Sequence, residues 1–395
     1  MFADKYILKN NLDKVLFDQL PHSETGIIVV IPCINEPDIL ETLNSLQNCT
    51  GPKCKVEVII LINHSEVSSK ELKSYNQKTF KEVSDWINNS EKEIFQFLVS
   101  PPINLAKKWA GVGMARKRGM DEASCRFNFL DKPEGLIVSL DSDTLVERNY
   151  LLEIEKHFKE NPEHVGATVA FEHQLVGLDK KQRQGILYYE QYLKYYKSAL
   201  TYTGYPFAMF TIGSAFVVTA DAYVKRGGMT RRKAGEDFYF LQNLAQQGTV
   251  GEITSTKVLP SARTSERVPF GTGPIIKKWM EGKEDLSVTY NFHAFFDLKE
   301  FFNQKENLYK ISELEFEDLL NKLPSPVSSF LMNDEFFVQL NDLNQNCSSL
   351  RIFNYRFYQI FNAFKILKFL NFGHQEFYKK ADIDDQVKQL NKKCQ

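Results

Sequence analysis

The sequence has 395 residues, enough for two or three domains at about 150 residues each, or for one large domain with an appendage. Lys and Arg number 49 against 50 Asp and Glu, a net charge of −1 that argues against bulk electrostatic binding to nucleic acid. Hydrophobic residues at 43% and charged residues at 25% exclude wholesale disorder and allow a sizeable core.

Six cysteines (Cys33, Cys49, Cys54, Cys125, Cys347, Cys394) are scattered with no CxxC pair, so neither a zinc site nor a disulfide framework is expected. Reduced thiols in a cytoplasmic protein fit that pattern. The opening stretch, MFADKYILKNNLDKVLF, interleaves charged and apolar residues and lacks the apolar core of a signal peptide. The longest apolar runs, Ile27 to Ile31 and Val58 to Ile62, are strand-sized and far short of the roughly 18 residues that span a bilayer. No membrane-crossing segment is expected.

Residues 1–25 read as a helical extension. From Gly26 the pattern alternates. GIIVVIP is a buried strand ended by Pro32, Asp38 to Leu46 a helix, and Lys55 to Ile62 a second apolar strand. A polar helix follows, then a third strand over Phe95 to Val99, a basic helix over Lys107 to Ala123, and a fourth strand over Gly135 to Leu140. Continuous apolar strands separated by helices predict a mostly parallel α/β sheet covered on both faces. Ligands of such sheets bind beyond the carboxyl ends of the strands. Further on, Val165 to Phe171 and Thr211 to Val218 read as strands. Lys181 to Leu200 is a tyrosine-rich helix, Ala220 to Arg226 a short helix ended by Gly227-Gly228, and Asp237 to Gln246 another helix. Sixteen of the 31 Phe lie between Phe292 and Phe377, which marks a separate, mostly helical region and places a boundary near residue 275.

Ser139-Leu140-Asp141-Ser142-Asp143 is a D-x-D at the end of a buried strand. Residues two apart on extended chain project to one side, and paired carboxylates there call for a cation between them. A hard divalent ion such as Mg²⁺ takes one or two carboxylates plus substrate phosphates. A solvated loop is the plainer explanation of the same residues. Gly235-Glu236-Asp237 opens a helix about 90 residues later, where carboxylates are often only dipole partners. In company with the D-x-D, one of them becomes a general-base candidate. The stretch Lys107 to Gly119 contains G-x-G, but the third glycine of a dinucleotide fingerprint falls on Arg116, and the cations suit phosphate neutralisation better. Arg263 and Arg267, four apart before a glycine-containing loop, could grip a diphosphate or be surface residues. Between Ser349 and Gln375 there are four cations and no acid, and Phe353, Phe357, Ile360, Phe364 and Leu367 form one apolar helical stripe. That helix either packs on the rest of the protein or docks on anionic lipid through residues 350–372.

Taken in chain order from Gly26 to Gly273, these motifs resemble family 2 glycosyltransferases of the GT-A fold. The resemblance rests on IPCINEP, Ala115-Arg116-x-x-Gly119, Asp141/Asp143, the Gly213-Ser214 strand leading to Gly227-Gly228-Met229, and Glu236-Asp237. It implies a mixed, mostly parallel sheet over residues 26–275 with a helical region at 276–395. It further implies a transferase moving a sugar from a nucleotide-diphosphate donor to a hydroxyl acceptor, a glycan or lipid-linked glycan, with Mn²⁺ or Mg²⁺ and with inversion. Pro32, Glu36, Asn63, Arg116, Asp141, Arg263 and Arg267 would then face the donor, and Asp141 and Asp143 the metal. Asp237 would be the base, with Gly213, Ser214 and Glu236 on the acceptor side; His293 stands where a late metal ligand could fall. The glutamine and tryptophan of the family's C-terminal arginine motif are missing. The second strand ends Asn63-His64-Ser65 in place of paired aspartates, so the donor base is left open. The implied location is cytoplasmic, with a peripheral contact at the inner face of a membrane. Two rivals are a degenerate binding or scaffold domain and a sugar-phosphate nucleotidyltransferase. The latter would need a glycine-rich basic loop after the first strand.

Overall fold

The computed structural model describes residues 1–12, 15–90, 93–231, 235–264 and 271–394. The chain divides into two compact units: Met1–Lys180 with Thr211–Lys278, and Lys181–Phe210 with Trp279–Gln395. The tyrosine-rich helix thus groups with the C-terminal region, although it interrupts the first unit in sequence.

The first unit carries strands β1 (Thr25–Cys33), β2 (Lys55–Ser65), β3 (Phe95–Leu105), β4 (Leu136–Ser139), β5 (Leu145–Val146), β6 (Gly166–Phe171), β7 (Phe216–Thr219) and β8 (Val250–Leu259). They form one sheet in the order β3-β2-β1-β4-β7-β6-β8-β5. The four strands β3, β2, β1 and β4 are parallel, with Val29 in register between Val58 and Val138. Beyond them β7 runs antiparallel to β4 and β6, β8 is parallel to β6, and β5 is antiparallel to β8. The mixed, mostly parallel sheet is the one expected. Its central strands read as unbroken apolar runs because both faces are covered: Ile27 through Ile31 and Val58 through Ile60 are 0% exposed.

One helix, Val112–Phe129, lies close on this sheet. A Cβ at Gly119 would come within 2.4 Å of Val30 Cγ1, so glycine permits the approach. The helix is not amphipathic in the ordinary way, since Arg116, Lys117, Asp121, Glu122 and Arg126 are all buried. Each finds a partner. Lys117 pairs with Asp121 at 2.8 Å, Arg126 with Glu57 and Glu122, and Asp121 accepts hydrogen bonds from the hydroxyls of Tyr6 and Tyr223. Ala3 N–H donates to Asn128 and Leu16 N–H to Glu122, so the first residues of the chain are tied to this helix. Among the described residues 1–25 the only helix is Asp4–Asn10.

The basic helix starts later than its composition suggests. Residues 107–111 are non-helical because β3 continues to Leu105 and the chain turns before Gly111. The strand expected over 211–218 shortens to β7, leaving 211–215 irregular, and β5 and β8 were not foreseen.

In the second unit the phenylalanines are the core. Phe301, Phe336, Phe353, Phe357, Phe361 and Phe369 are fully buried, with the Phe301 ring centred 5.1 Å from that of Phe361 and 5.8 Å from that of Phe336. The expected apolar stripe breaks into two helices, Leu350–Ile360 and Ala363–Glu376, where the Asn362 side chain caps the second by accepting from the N–H groups of Phe364 and Lys365. Phe353 and Phe357 face inward, so this part of the stripe has the packing role; its cation Lys365 is also buried, against Asp334 and Gln339. No described helix is long and apolar enough to cross a membrane. Phe357→Ala should cost about 3–5 kcal/mol of stability, read as a lower urea midpoint for this unit.

Candidate active site

The carboxyl ends of β1, β2 and β4 and the start of the helix Glu236–Leu244 bring the expected residues of the first unit together. Their centre is Arg116. The residue is 2% exposed, and its guanidinium donates to four groups: Nε to Glu236 Oε1 at 3.1 Å, Nη1 to Ser139 Oγ at 2.6 Å and to the Gly213 carbonyl at 2.9 Å, and Nη2 to Asp141 Oδ1 at 2.9 Å. Arg116 therefore holds the D-x-D and the Glu236-Asp237 pair in one cluster. It was expected to face the donor; in the structure its hydrogen bonds are made to protein groups and hold the two pairs of carboxylates in place. Gly213 is small for a reason: a Cβ there would lie 2.7 Å from Arg116 Nη2 and 3.3 Å from Asp237 Oδ2. Ser214 beside it is buried.

The cluster sets one guanidinium against three carboxylates. Burial opposes the charge on Arg116, yet Asp141, Glu236 and Asp237 outweigh it and hold the guanidinium above its usual value. The other side of that balance falls on Asp237. Burial first, then the neighbouring Glu236 charge, push its carboxyl up to about 7, against the pull of Arg116 and of the Phe238 N–H that donates to it at 2.8 Å. An Asp at this position in the sequence would be taken as ionised near pH 4; the structure corrects that, because burial and the adjacent Glu236 charge both favour the neutral carboxyl.

A second arginine lies against the turn after β1. The chain leaving β8 places Arg263 with Nη1 2.6 Å from Asp38 Oδ2, Nη2 2.6 Å from Glu36 Oε1, and Nη2 3.6 Å from Asp143 Oδ2. Glu36, expected beside the donor, is 1% exposed and also accepts from the Asp38 N–H at 3.0 Å. Pro32 is a buried residue of β1, paired in register with Leu61, and the turn after it passes through Asn35 at φ 48°. Asp38 and Ser139 were not anticipated. The signal was a carboxylate two residues after Glu36 and a hydroxyl closing an otherwise apolar strand. Arg267 lies outside the described residues.

At the end of β2 there is an uncharged network. Asn63, 2% exposed, donates through Nδ2 to the Cys33 carbonyl at 3.2 Å, and Asn76 donates to the Asn63 carbonyl at 2.8 Å. His64 lies between Asn76 Nδ2 at 3.1 Å and Asn104 Oδ1 at 3.0 Å, and burial lowers its pKa. A neutral ring protonated on Nε2 satisfies both neighbours. The Oδ1 of Asn63 is buried with no hydrogen-bond partner among the described residues.

Asp141 and Asp143 offer hard oxygen donors with side chains 34% and 25% exposed, which suits an ion that keeps water and substrate oxygens in its shell. Among the described residues no three His, Cys, Asp or Glu side chains form a metal-binding group, so a protein-only cage is not what these residues build. His293 is exposed near the start of the helix Phe292–Asn303 in the second unit, edge-on to Phe296.

Residues 136–305 match the glycosyl transferase family group 2 model. The matched span holds Asp141, Asp143, Gly213, Ser214, Glu236, Asp237 and Arg263, and the family resemblance read from the motifs is borne out. Solved structures similar to this chain include S. aureus TarS 1–349 in complex with UDP-GlcNAc, at 14% identity and a TM-score of 0.45, over 84% of this chain and 90% of that one. Another is the mannosyltransferase PcManGT from Pyrobaculum calidifontis in complex with GDP-Man and Mn²⁺, at 13% identity and a TM-score of 0.40, over 89% of this chain and 93% of that one. No curated protein matches the sequence significantly.

The carboxyl titration of Asp237 is directly measurable. Carboxyl ¹³C NMR should show one aspartate titrating near pH 7, and Glu236→Gln, which removes the adjacent charge, should move that inflection to lower pH. An Asp237 signal that titrates near pH 4 in the wild type would contradict this account.

Proposed function

We propose that this protein is a metal-dependent glycosyltransferase that passes a sugar, with inversion, from a nucleotide-diphosphate donor to a hydroxyl acceptor. The family match over residues 136–305 supports the reaction class. The observation that carries the site is Arg116, which holds Asp141 and Glu236 on one guanidinium and so sets the D-x-D beside Asp237. A donor-binding group and a proton acceptor are thereby kept at a fixed separation, as displacement at an anomeric carbon requires.

In this reading Asp143, with Asp141 beside it, would hold a divalent cation, which when bound supplies charge neutralisation to the leaving diphosphate. Asp237 takes the proton from the acceptor hydroxyl. With its carboxyl pushed up to about 7, it is a stronger base than an ordinary aspartate and is still ionised in a substantial fraction of molecules at neutral pH. The sign follows: the active form is the deprotonated one, so turnover falls as pH drops below about 7. Glu36 would border the donor through the turn after β1. All six cysteines are free, which fits a reducing compartment such as the cytoplasm.

Two variants test the assignment. Asp143→Ala should abolish the Mn²⁺-dependent part of nucleotide-sugar binding in calorimetry while leaving the melting temperature near wild type. Asp237→Asn should lose a factor of about 10² to 10⁴ in turnover, with donor affinity retained. Wild-type-like turnover in the Asn variant would move the base to another residue. Thermal-shift screening against nucleotide diphosphates with Mn²⁺ identifies the donor, since a ligand at about 100 times its Kd adds roughly 2.7 kcal/mol to stability.

A further inference from the structure

The helices that carry Arg116 and Asp237 are tied to each other twice. One tie is the ion pair of Arg116 with Glu236 at 3.1 Å. The other lies just over a turn further along the Arg116 helix, at Asp121, a buried carboxylate with three donors. Its Oδ1 accepts from the Tyr6 hydroxyl at 2.6 Å and the Tyr223 hydroxyl at 2.7 Å, and its Oδ2 accepts from Lys117 Nζ at 2.8 Å. Burial first, then the Asp121 charge, raise the pKa of both phenols, so each remains a donor at neutral pH.

Tyr223 carries this second tie to the helix of Asp237. Its ring is centred 5.7 Å from that of buried Phe240, one turn after Glu236, and the Met229 backbone hydrogen-bonds its hydroxyl. Tyr6 closes the arrangement from outside. Its ring is edge-on to Tyr223 at 6.0 Å, and its hydroxyl occupies the place where a side chain at Gly228 would start. With φ at 70° and no space for a Cβ, the turn at Gly228 is shaped to receive that hydroxyl.

A helix held at one ion pair can pivot about it, whereas a second attachment fixes its direction. Asp237 depends on that direction, because the hydrogen bond from Arg116 is made to Glu236, next to it. We propose that Tyr6 is a positioning residue of the active site: through Asp121 and Tyr223 it keeps the helix of Asp237 from pivoting on Arg116. The inference rests on reading Asp237 as the base. A misplacement of about 1 Å can cost about 10²-fold in rate, so a hydroxyl that touches no substrate is felt in turnover.

The test is deuterium exchange of the Arg116 Nε–H, followed by ¹⁵N NMR on the full chain, with the buried Val29 amide of β1 as internal reference. In Tyr6→Phe the Nε–H should exchange at least about tenfold faster relative to Val29, because a hydrogen bond to a buried charge is lost beside it. A merely structural role would speed both signals alike, and an unchanged ratio overturns the inference. Tyr223→Phe keeps the ring against Phe240, should change the ratio in the same direction, and decides the matter if Tyr6→Phe does not fold. Hydrolysis of UDP- and GDP-sugars with Mn²⁺ gives the second readout: kcat in Tyr6→Phe should fall about tenfold, with donor KM within about twofold of wild type. Unchanged kcat beside a changed ratio makes Tyr6 a stabilising residue only and overturns its place in the reaction. Should the wild type hydrolyse none of these sugars, the transferase reading is what fails, and the exchange ratio still decides whether Tyr6 holds the two helices.

Discussion

The arrangement depends on one buried charge. Arg116 has exchanged its hydration shell for Ser139, the Gly213 carbonyl, Asp141 and Glu236, and those four partners come from β4, the loop after it, the irregular chain before β7, and a helix start some 95 residues beyond Asp141. Taking one partner from a buried ion pair typically costs about 3–5 kcal/mol, because the remaining charge has no water to return to. The separated segments are therefore held together by an electrostatic requirement as much as by apolar packing. The same requirement explains Gly213, where any side chain would compete with the guanidinium for space.

This coupling also sets the chemistry. Three carboxylates around one cation cannot all be comfortable as anions, and the strain is borne by Asp237, the one lacking a direct hydrogen bond to Arg116. A basic carboxylate thus arises from burial first and from the adjacent Glu236 charge second. Arg263 provides the opposite case: its two short contacts neutralise Glu36 and Asp38, and Asp143 keeps the looser partner. Of the two acids in the D-x-D, Asp141 is bound to the buried Arg116 and Asp143 lies beside the half-exposed Arg263.

Much of the sheet was legible in the sequence because a strand buried on both faces admits few polar residues, and β1, β2 and β4 read as such. Strand β8 did not, since only Ile253, Thr256 and Val258 are buried in a run that otherwise carries Glu252, Thr254 and Ser255 outward. The D-x-D, Glu36, Asp237 and Arg263 could be picked out as polar residues at element ends, where a parallel sheet binds ligands. The role of Arg116 could not. The family motif singles it out from Lys107 and Lys108, but that it is buried and bonded to carboxylates of distant segments appears only in the fold, where the two lysines are exposed in the turn ahead of the helix. Likewise the spacing of the phenylalanine stripe suits a packed helix and a lipid-docking one alike, and the surrounding rings place Phe353 and Phe357 in a core.

The helix that carries Arg116 is itself fastened by the start of the chain. Tyr6 reaches Asp121 across 115 residues, Ala3 reaches Asn128 across 125, and Leu16 reaches Glu122 across 106. Residues 3–16 precede their docking helix in the sequence by about 100 residues that include β1, β2 and β3. Contacts of such separation are slow to form, because the loop they close has to be ordered before it is rewarded. The Arg116 cluster should consequently be among the last parts of this unit to settle, since it needs Gly213 and Glu236 as well as the return of residues 3–16 to the helix made after them.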